Sequence, residues 1–210
     1  MNLVDLSLAD FAKVLGSDAP APGGGSAAAL SGANGISLTK MVCELTLGKK
    51  KYADYQDIIE DVRANSTALQ TSLLAAIDKD TEAFNLVSAV FDMPKETDED
   101  KAARRTAMQK ALKTAAQSPF EMMTLMVEAL ETTATAVGKS NTNAASDLGV
   151  AALSLKAGLQ GAWLNVLINL SGIKDEDFVT DYRQKGQALL DKGCLLADDI
   201  YKQILEIVLK

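Results

Sequence analysis

The sequence predicts an all-α fold: an antiparallel bundle of six to seven helices, formed by a single domain over residues 1–210. Apolar residues recur at three- and four-residue steps along most of the chain, and alternating strand patterns are missing. Aromatic residues make up only 5% of the chain, whereas Ala and Leu are abundant, which suits closely packed helices better than a sandwich. The short connections between periodic segments favour antiparallel neighbours.

In the first half of the chain, caps and breakers delimit three helices. Ser7 is a candidate N-cap, and the run Ala-Pro-Ala-Pro-Gly-Gly-Gly-Ser at 19–26 is the clearest breaker. Gly48 closes the second helix, and Pro94 ends the third. The predicted helices run from Leu8 to Leu15, from Ser26 to about Leu47, and from Tyr52 to Phe91.

The second half of the chain carries start and stop signals for four helices. Ser118-Pro119 resembles an N-cap followed by proline at the first helical position. Gly172 is a breaker, and Asp175 can cap the last helix. The predicted helices run from Asp98 to Ala116, from Pro119 to about Val137, from Ala144 to about Leu170, and from Asp175 to about Val208, with a turn over 138–143.

Composition and charge narrow the classes of function. The net charge is −7, and nucleic-acid binding needs basic side chains to neutralise phosphates, so we expect no nucleic-acid partner. No apolar run is long enough to cross a bilayer, and the N-terminus lacks the features of a signal peptide. Cys43 and Cys194 show no metal-like or redox-like spacing. These features predict a reduced, cytoplasmic protein.

The chain contains no histidine. Histidine-based triads, proton shuttles and metal sites are therefore excluded. Acid–base chemistry would fall to Asp, Glu, Lys, Tyr, Cys or water.

The segment Pro22-Gly23-Gly24-Gly25-Ser26 is the first candidate binding element. Three glycines permit unusual backbone angles and let a ligand approach the main chain, and the following helix offers free N–H groups. The alternative is a tight interhelical turn with Ser26 near a cap. A Walker loop is excluded because no Gly-Lys-Ser/Thr follows.

Asp80 is the candidate catalytic residue. It lies three residues after Ile77 and four before Phe84, within an apolar stripe, so it is predicted to face the interior. Burial raises the pKa of a carboxyl group and makes it a candidate acid–base. The alternative is an Asp at a helix edge, paired with a lysine or a backbone N–H. The stripe comprises Ile58, Val62, Leu69, Leu73, Ile77, Phe84, Val87 and Phe91.

The helix after Asn143 presents one face that is small in its middle and polar at both ends. Asp147, Asn165 and Asn169 lie on this face, and Ser146 stands beside Asp147. If buried, these polar groups need hydrogen-bond partners, which the edge of a heterocycle could provide. The alternative is a small-residue face for close helix packing.

Lys49-Lys50-Lys51 forms a local positive cluster next to Tyr52 in an otherwise acidic chain. Lysines just past a helix end complement the helix dipole, which is sufficient reason for their presence. The functional alternative is that Lys49 and Lys50 hold the anionic tail of a substrate.

Taken together, six segments resemble the formiminotetrahydrofolate cyclodeaminase and methenyltetrahydrofolate cyclohydrolase family. They occur in the family's order and cover nearly the whole chain. The segments are Ala21–Leu30, Thr46–Tyr52, Asp80–Phe84, Met93–Thr97, Ser146–Ala152 and Asn165–Leu170.

The resemblance implies a homodimeric, all-helical enzyme without a metal, whose folate substrate needs no separate cofactor. It implies a folate cleft lined by the glycine-rich segment and the Ser146-Asp147 helix, with Asp80 as the catalytic carboxylate and Asp147 as the next candidate. Likeness to the free-standing bacterial form favours a methenyltetrahydrofolate cyclohydrolase (a hydrolase). The alternatives are a formiminotetrahydrofolate cyclodeaminase (a lyase), a non-catalytic folate binder and a purely structural helical dimer.

Overall fold

The computed structural model describes residues 2–210, and the predicted all-α fold is confirmed. Within these residues there are six α-helices and no strands. The helices are α1 (Leu8–Leu15), α2 (Gly24–Glu44), α3 (Gln56–Phe91), α4 (Asp98–Ala136), α5 (Ala145–Leu170) and α6 (Glu176–Val208). Three short 3-10 segments, Leu3–Asp5, Lys50–Tyr55 and Thr142–Ala144, lie between or before them.

Side-chain caps begin several of these helices as the sequence predicts. The Ser7 hydroxyl accepts from the Asp10 N–H, and the Asp175 carboxylate accepts from the Phe178 N–H. Glycines in the left-handed region, Gly48 and Gly138 at φ 74°, follow α2 and α4. Glycine adopts this conformation without strain, so these two residues permit the chain to turn in the connections that follow the helices.

The predicted break at Ser118-Pro119 is wrong, because α4 runs through both residues as one continuous helix. Six helices therefore form where up to seven were predicted. The Ser118 hydroxyl is buried and caps nothing; it has no hydrogen-bond partner among residues 2–210. Pro119 lacks the N–H that would bond to the Ala115 carbonyl. A proline is therefore tolerated at this position of the helix only if that carbonyl accepts a hydrogen bond from another donor.

Helix α2 lies at the centre of the bundle and packs against both α3 and α5, while α4 and α6 complete the other side. A Cβ at Gly35 would lie 2.7 Å from Leu155 Cγ and 2.9 Å from the Ala151 carbonyl oxygen. A Cβ at Gly158 would lie 2.8 Å from the Ala28 carbonyl oxygen. These glycines let the backbones of α2 and α5 approach closely, which fixes the position of α2's N-terminus.

The connection from α2 to α3 differs from the prediction. Helix α2 ends at Glu44 rather than near Leu47, and α3 begins at Gln56 rather than Tyr52, because Lys50–Tyr55 forms a 3-10 segment. The Gln56 side chain holds this turn by accepting from the Gly48 N–H at 2.8 Å and donating to the Tyr52 carbonyl at 2.8 Å.

The apolar stripe of α3 is buried through Ile77 but not beyond it. Phe84 and Phe91 are exposed, in contrast to the prediction that they face the core. Beyond Ile77 the buried face of α3 continues through Ala83 and Val90 instead, so it has rotated away from Phe84 and Phe91. Within residues 2–210, no helix is both long and apolar enough to cross a membrane.

Candidate active site

A cavity of about 330 Å³ opens at the end of the bundle where α2 begins. We call this the glycine end. The cavity brings together residues of α2, α3, α4 and α5 that are far apart in the sequence. Its lining comprises Pro20, Ala21, Gly23, Gly24, Gly25, Asp80, Thr81, Ala83, Phe84, Val87, Ala115, Asn165, Ile168 and Asn169. Three walls of the candidate site, around Gly24, Asp80 and Asn165, therefore meet within one subunit.

The glycines are needed for space rather than for unusual backbone angles. None of Gly23, Gly24 and Gly25 has a positive φ, and α2 begins at Gly24 instead of Ser26. A Cβ at Gly25 would overlap all three carboxyl atoms of Asp80, and one at Gly24 would lie 3.3 Å from Asn165 Nδ2. The first turn of α2 can therefore approach both polar groups.

Pro22 and Ser26 stand behind the cavity rather than in it. Pro22 is buried next to the lining. The fully buried Ser26 hydroxyl lies 2.9 Å from the Ile77 carbonyl oxygen, 3.4 Å from Asp80 Oδ2 and 3.3 Å from Thr81 Oγ1. A hydroxyl has one proton to donate, and the Ile77 carbonyl is the nearer acceptor, so Asp80 receives only a weak hydrogen bond from it.

Asp80 carries the one carboxyl group among the described residues that line the cavity. Burial raises the pKa of Asp80 above its ordinary value of 3.8, while the hydroxyl and backbone N–H of Ser26 partly oppose this rise. Among residues 2–210 no cation pairs with it; the neighbouring Lys79 pairs with Glu121 instead. A carboxylate that is desolvated and weakly bonded is suited to take up and return a proton.

The two asparagines of α5 direct their amide N–H groups towards backbone carbonyls. Asn165 Nδ2 donates to the Gly161 carbonyl at 2.9 Å. Asn169 Nδ2 donates to the Asn165 carbonyl at 2.8 Å and to the Ala115 carbonyl at 3.1 Å. Neither Oδ1 accepts a hydrogen bond from residues 2–210, so each is available to a ligand that carries N–H groups.

The Asn169–Ala115 hydrogen bond explains why α4 continues through Pro119. The Ala115 carbonyl is the group that loses its helical donor to the proline ring, and the Asn169 amide replaces that donor from another helix. Asn169 thus stabilises the part of α4 that forms one wall of the cavity.

We expect Asn169→Ala to lower the free energy of unfolding by about 1–3 kcal/mol, the usual cost of an unsatisfied buried acceptor. In a Pro119→Ala background the helix supplies its own N–H to the Ala115 carbonyl, so Asn169→Ala should cost roughly 1 kcal/mol less. Urea unfolding of the four proteins measures this coupling. Asn165→Ala is the control, because its amide bonds within α5 and should show no coupling with Pro119→Ala. Equal costs of Asn169→Ala in both backgrounds would contradict the explanation.

Four predicted site residues lie at the opposite end of the bundle. Asp147 and Ser146 are in the first turn of α5, and the rise of about 1.5 Å per residue places Asp147 roughly 27 Å from Asn165. Lys49 and Lys50 follow the far end of α2, roughly 30 Å from Gly24. We call this region the lysine end. It is tied together by Tyr52, whose hydroxyl accepts from the Thr142 N–H at 2.9 Å.

The cavity contains lining residues to which sequence reasoning gave no role at the site. Thr81 contacts Ser26, and Phe84 and Val87 form an apolar wall beside Asp80. The signal available for them was proximity: all three lie within two helical turns of Asp80 on α3. A partly exposed Phe84 next to a partly buried carboxylate is a suitable surface for a flat ring.

A larger and more open groove, of about 740 Å³, lies between α3 and α4. The groove contains three acidic residues, Asp61, Glu128 and Glu131, but none of their carboxylates is buried and no helix begins there. Glu131 also pairs with Lys192. The smaller cavity at the glycine end is therefore the better candidate site, because convergent polar groups and a perturbed pKa coincide there. No cluster of three or more His, Cys, Asp or Glu side chains within 2–210 is arranged to hold a metal ion.

Fold and cavity together define a helical-bundle protein whose small-molecule cleft is built around a partly buried carboxylate. A family model described as formiminotransferase-cyclodeaminase matches residues 7–188, and the chain belongs to this family. A methenyltetrahydrofolate cyclohydrolase from Methylorubrum extorquens is 41% identical over 92% of this chain and 93% of its own length. The resemblance inferred from the sequence is thus confirmed.

Two further comparisons extend this assignment. The formimidoyltransferase-cyclodeaminase of Gallus gallus is 33% identical over 91% of this chain, which spans only 36% of that longer protein. The crystal structure of a formiminotetrahydrofolate cyclodeaminase from Thermotoga maritima matches with a TM-score of 0.79 and 29% identity, covering 96% of this chain and 95% of the other. The relatives named as enzymes therefore include both cyclohydrolases and cyclodeaminases.

Proposed function

We propose that the protein is a methenyltetrahydrofolate cyclohydrolase, which converts 5,10-methenyltetrahydrofolate and water into 10-formyltetrahydrofolate. The observation that supports this most is the desolvated Asp80 carboxylate, without a cation partner among residues 2–210, in the wall of the glycine-end cavity. The 41% identical relative bears the same name over nearly its full length. The folate is the substrate, and we propose that no separate cofactor or metal takes part.

The proposed reaction needs one group that moves a proton twice. Water adds to the methenyl carbon, and Asp80 accepts the proton that the water releases. The bond from that carbon to N5 then breaks and Asp80 returns its proton to N5, while the hydroxyl group loses its own proton to solvent and becomes the carbonyl of the formyl group on N10. Because the methenyl bridge is cationic, the reaction releases one net proton, and the carboxylate stabilises the bridge electrostatically before water attacks.

Recognition of the folate ring is supported by the polarity of the cavity. The edge of a reduced pterin is rich in N–H donors, and the free oxygens of Asn165 and Asn169 are acceptors. Phe84 and Val87 offer an apolar wall on which the ring can lie. Orientation of a flexible substrate by such contacts contributes to the rate in its own right.

The second candidate function is that of a formiminotetrahydrofolate cyclodeaminase, in which N10 attacks a formimino carbon and ammonia leaves. The matching Thermotoga maritima structure favours this alternative. Both reactions pass through a tetrahedral carbon between N5 and N10, so the same carboxylate would serve either. A non-catalytic folate binder is the third alternative, in which Asp80 would be dispensable.

Isothermal titration with tetrahydrofolate tests the binding half of this proposal. Saturable binding by the wild-type protein is expected, and its absence would overturn both the enzyme and the binder assignments. Turnover assays then separate the enzyme from the binder.

We expect Gly24→Val to abolish this binding while helicity measured by circular dichroism is retained. The added side chain begins 3.3 Å from Asn165 Nδ2 and extends into the space left for the ligand. Ala103→Val, at an exposed position of α4, is the matched control and should bind like the wild type. Unchanged affinity in Gly24→Val would show that the glycine segment serves only as a turn and does not bind the folate.

We further propose that the protein is a cytoplasmic homodimer. Large apolar residues on α5, among them Leu164 and Ile168, remain exposed in a single chain, and a second copy would cover them. We expect light scattering at micromolar concentration to give the mass of two chains. A mass of one chain, about 22.2 kDa, across this range would contradict it.

A further inference from the structure

We infer that a second copy of this chain completes the active site, by packing its α5 antiparallel against α5 so that the lysine end of one subunit covers the glycine end of the other. This inference rests on the proposed function and on the proposed dimer. It explains why the predicted site residues lie in two groups, at opposite ends of one bundle. The partner would supply Ser146, Asp147, Lys49 and Lys50.

The first observation is an uncovered apolar stripe along the whole of α5. Four large side chains project from one face of this helix, and Leu164 and Ile168 are 67% and 70% exposed. The other two, Val150 and Leu153, are also exposed, and small or uncharged residues occupy the middle of the stripe. A continuous exposed apolar face of this kind indicates an interaction surface.

The second observation is that this stripe is complementary to itself. A two-fold axis that crosses α5 between Ala157 and Gln160 pairs residues equidistant from the crossing, as an isologous interface requires. Val150 then meets the partner's Ile168, and Leu153 meets the partner's Leu164. The small residue Ala157 lies at the crossing, where two backbones must approach most closely. The face therefore fits a second copy of itself.

The third observation is where this axis places the polar ends. Asp147 and Ser171 are about equally far from the crossing, on opposite sides of it. The two-fold axis therefore places the partner's Asp147 near Ser171, about one helical turn from Ile168. Ile168 is part of the cavity lining. The same rotation carries the end of the partner's α2, with exposed Met41 and Leu45, over the glycine end.

The lysines follow directly after that end of α2. Among residues 2–210, Lys49 and Lys50 are exposed and form no ion pair, whereas Lys51 is held by Tyr52 and Thr142. In the dimer the partner's Lys49 and Lys50 reach the mouth of the cavity from beyond Ile168. Folates end in glutamate carboxylates, so these two lysines have the charge needed to hold that tail.

The interface is tested first by cross-linking, without reference to activity. Leu153→Cys and Leu164→Cys are combined in a Cys194→Ser chain; the remaining Cys43 is buried, and burial raises its pKa to about 11. The two new cysteines are roughly 16 Å apart on one helix, too far to bridge within a chain. Mild oxidation should give covalent dimers. The control pair Leu74→Cys and Leu195→Cys, exposed elsewhere, should give only background dimer. Equal yields would overturn the interface.

The shared site is tested by complementation with methenyltetrahydrofolate. One chain carries Asp80→Asn; the other carries Asp147→Asn with Lys49→Ala and Lys50→Ala. Each parent dimer should have low turnover, and the heterodimer, purified through two different tags, should recover about half of the wild-type rate, because one of its two sites is intact. No recovery above the parents, or wild-type turnover by the triple variant, would overturn the shared site. A wild-type protein inactive on both folates would overturn the proposed function and the shared site, while the cross-link still decides the interface.

Discussion

Asp80→Asn is expected to lower turnover by about two to four orders of magnitude, the usual contribution of general acid–base catalysis. The substitution preserves size but removes the titratable group, and the chain contains no histidine that could take over proton transfer. Tetrahydrofolate affinity should change far less, because an asparagine can still form hydrogen bonds in the cavity. Steady-state turnover and isothermal titration on one preparation measure the two effects separately.

The stability of Asp80→Asn distinguishes a catalytic from a structural role. The pKa of Asp80 is raised by burial, so the folded state holds this proton more tightly than the unfolded state does. The free energy of unfolding of the wild type therefore falls as pH rises from about 3.8 through the raised folded pKa. Asn avoids this cost, so the variant should be at least as stable as the wild type at neutral pH, and the difference should shrink in acid.

The same shift predicts the pH dependence of the rate. In the proposed mechanism the ionised carboxylate is the proton acceptor, so kcat/KM should fall in acid around a pKa above the ordinary 3.8 of Asp. Asp147→Asn should leave this fall of kcat/KM in acid unchanged. A fully folded Asp80→Asn protein with near-native turnover would rule out the assignment and make Asp147 the next carboxylate to test.

Gly25→Ala should reduce turnover about a hundredfold, although alanine is the better helix former. Its methyl group would occupy the position of the Asp80 carboxylate, which must then rotate away from the substrate. Gly24→Ala is the matched control, since its Cβ would meet only the Asn165 side chain at 3.3 Å, and its effect should be much smaller.

The action of Gly25→Ala through Asp80 can be verified by non-additivity. In an Asp80→Ala background there is no carboxylate to displace, so adding Gly25→Ala should leave the residual rate unchanged. A further large loss in that background would show that Gly25 acts on something other than Asp80. Circular dichroism should report the same helicity for all four proteins.

Local patterns predicted most of the helices because helix caps and stops are encoded locally. Ser7, Asp175 and Gly48 each act through residues at most a few positions away. The position of Asp80 facing the interior followed from its spacing to Ile77. Pro119 misled the prediction because its compensation is tertiary: the donor for the Ala115 carbonyl comes from Asn169, on another helix.

The grouping of the site residues was only partly predictable. Periodicity tells which face of a helix a residue occupies, but residues on one face can still lie at opposite ends. The rise of a helix already separates Asp147 from Asn165 by roughly 27 Å. The contact between the N-terminus of α2 and Asp80 could not be predicted, because it depends on how α2 packs between α3 and α5. That packing is set by close approaches such as the one between Gly35 and Leu155.

The most direct test of the proposed function is to offer the purified wild-type protein 5,10-methenyltetrahydrofolate and 5-formiminotetrahydrofolate side by side, with Asp80→Asn as control. We expect rapid formation of 10-formyltetrahydrofolate from the first substrate, slow or no release of ammonia from the second, and loss of turnover in the variant. Preferential release of ammonia would make the protein a cyclodeaminase. Failure to transform either folate, by a protein that is folded and dimeric, would contradict the assignment of the glycine-end cavity as a folate active site.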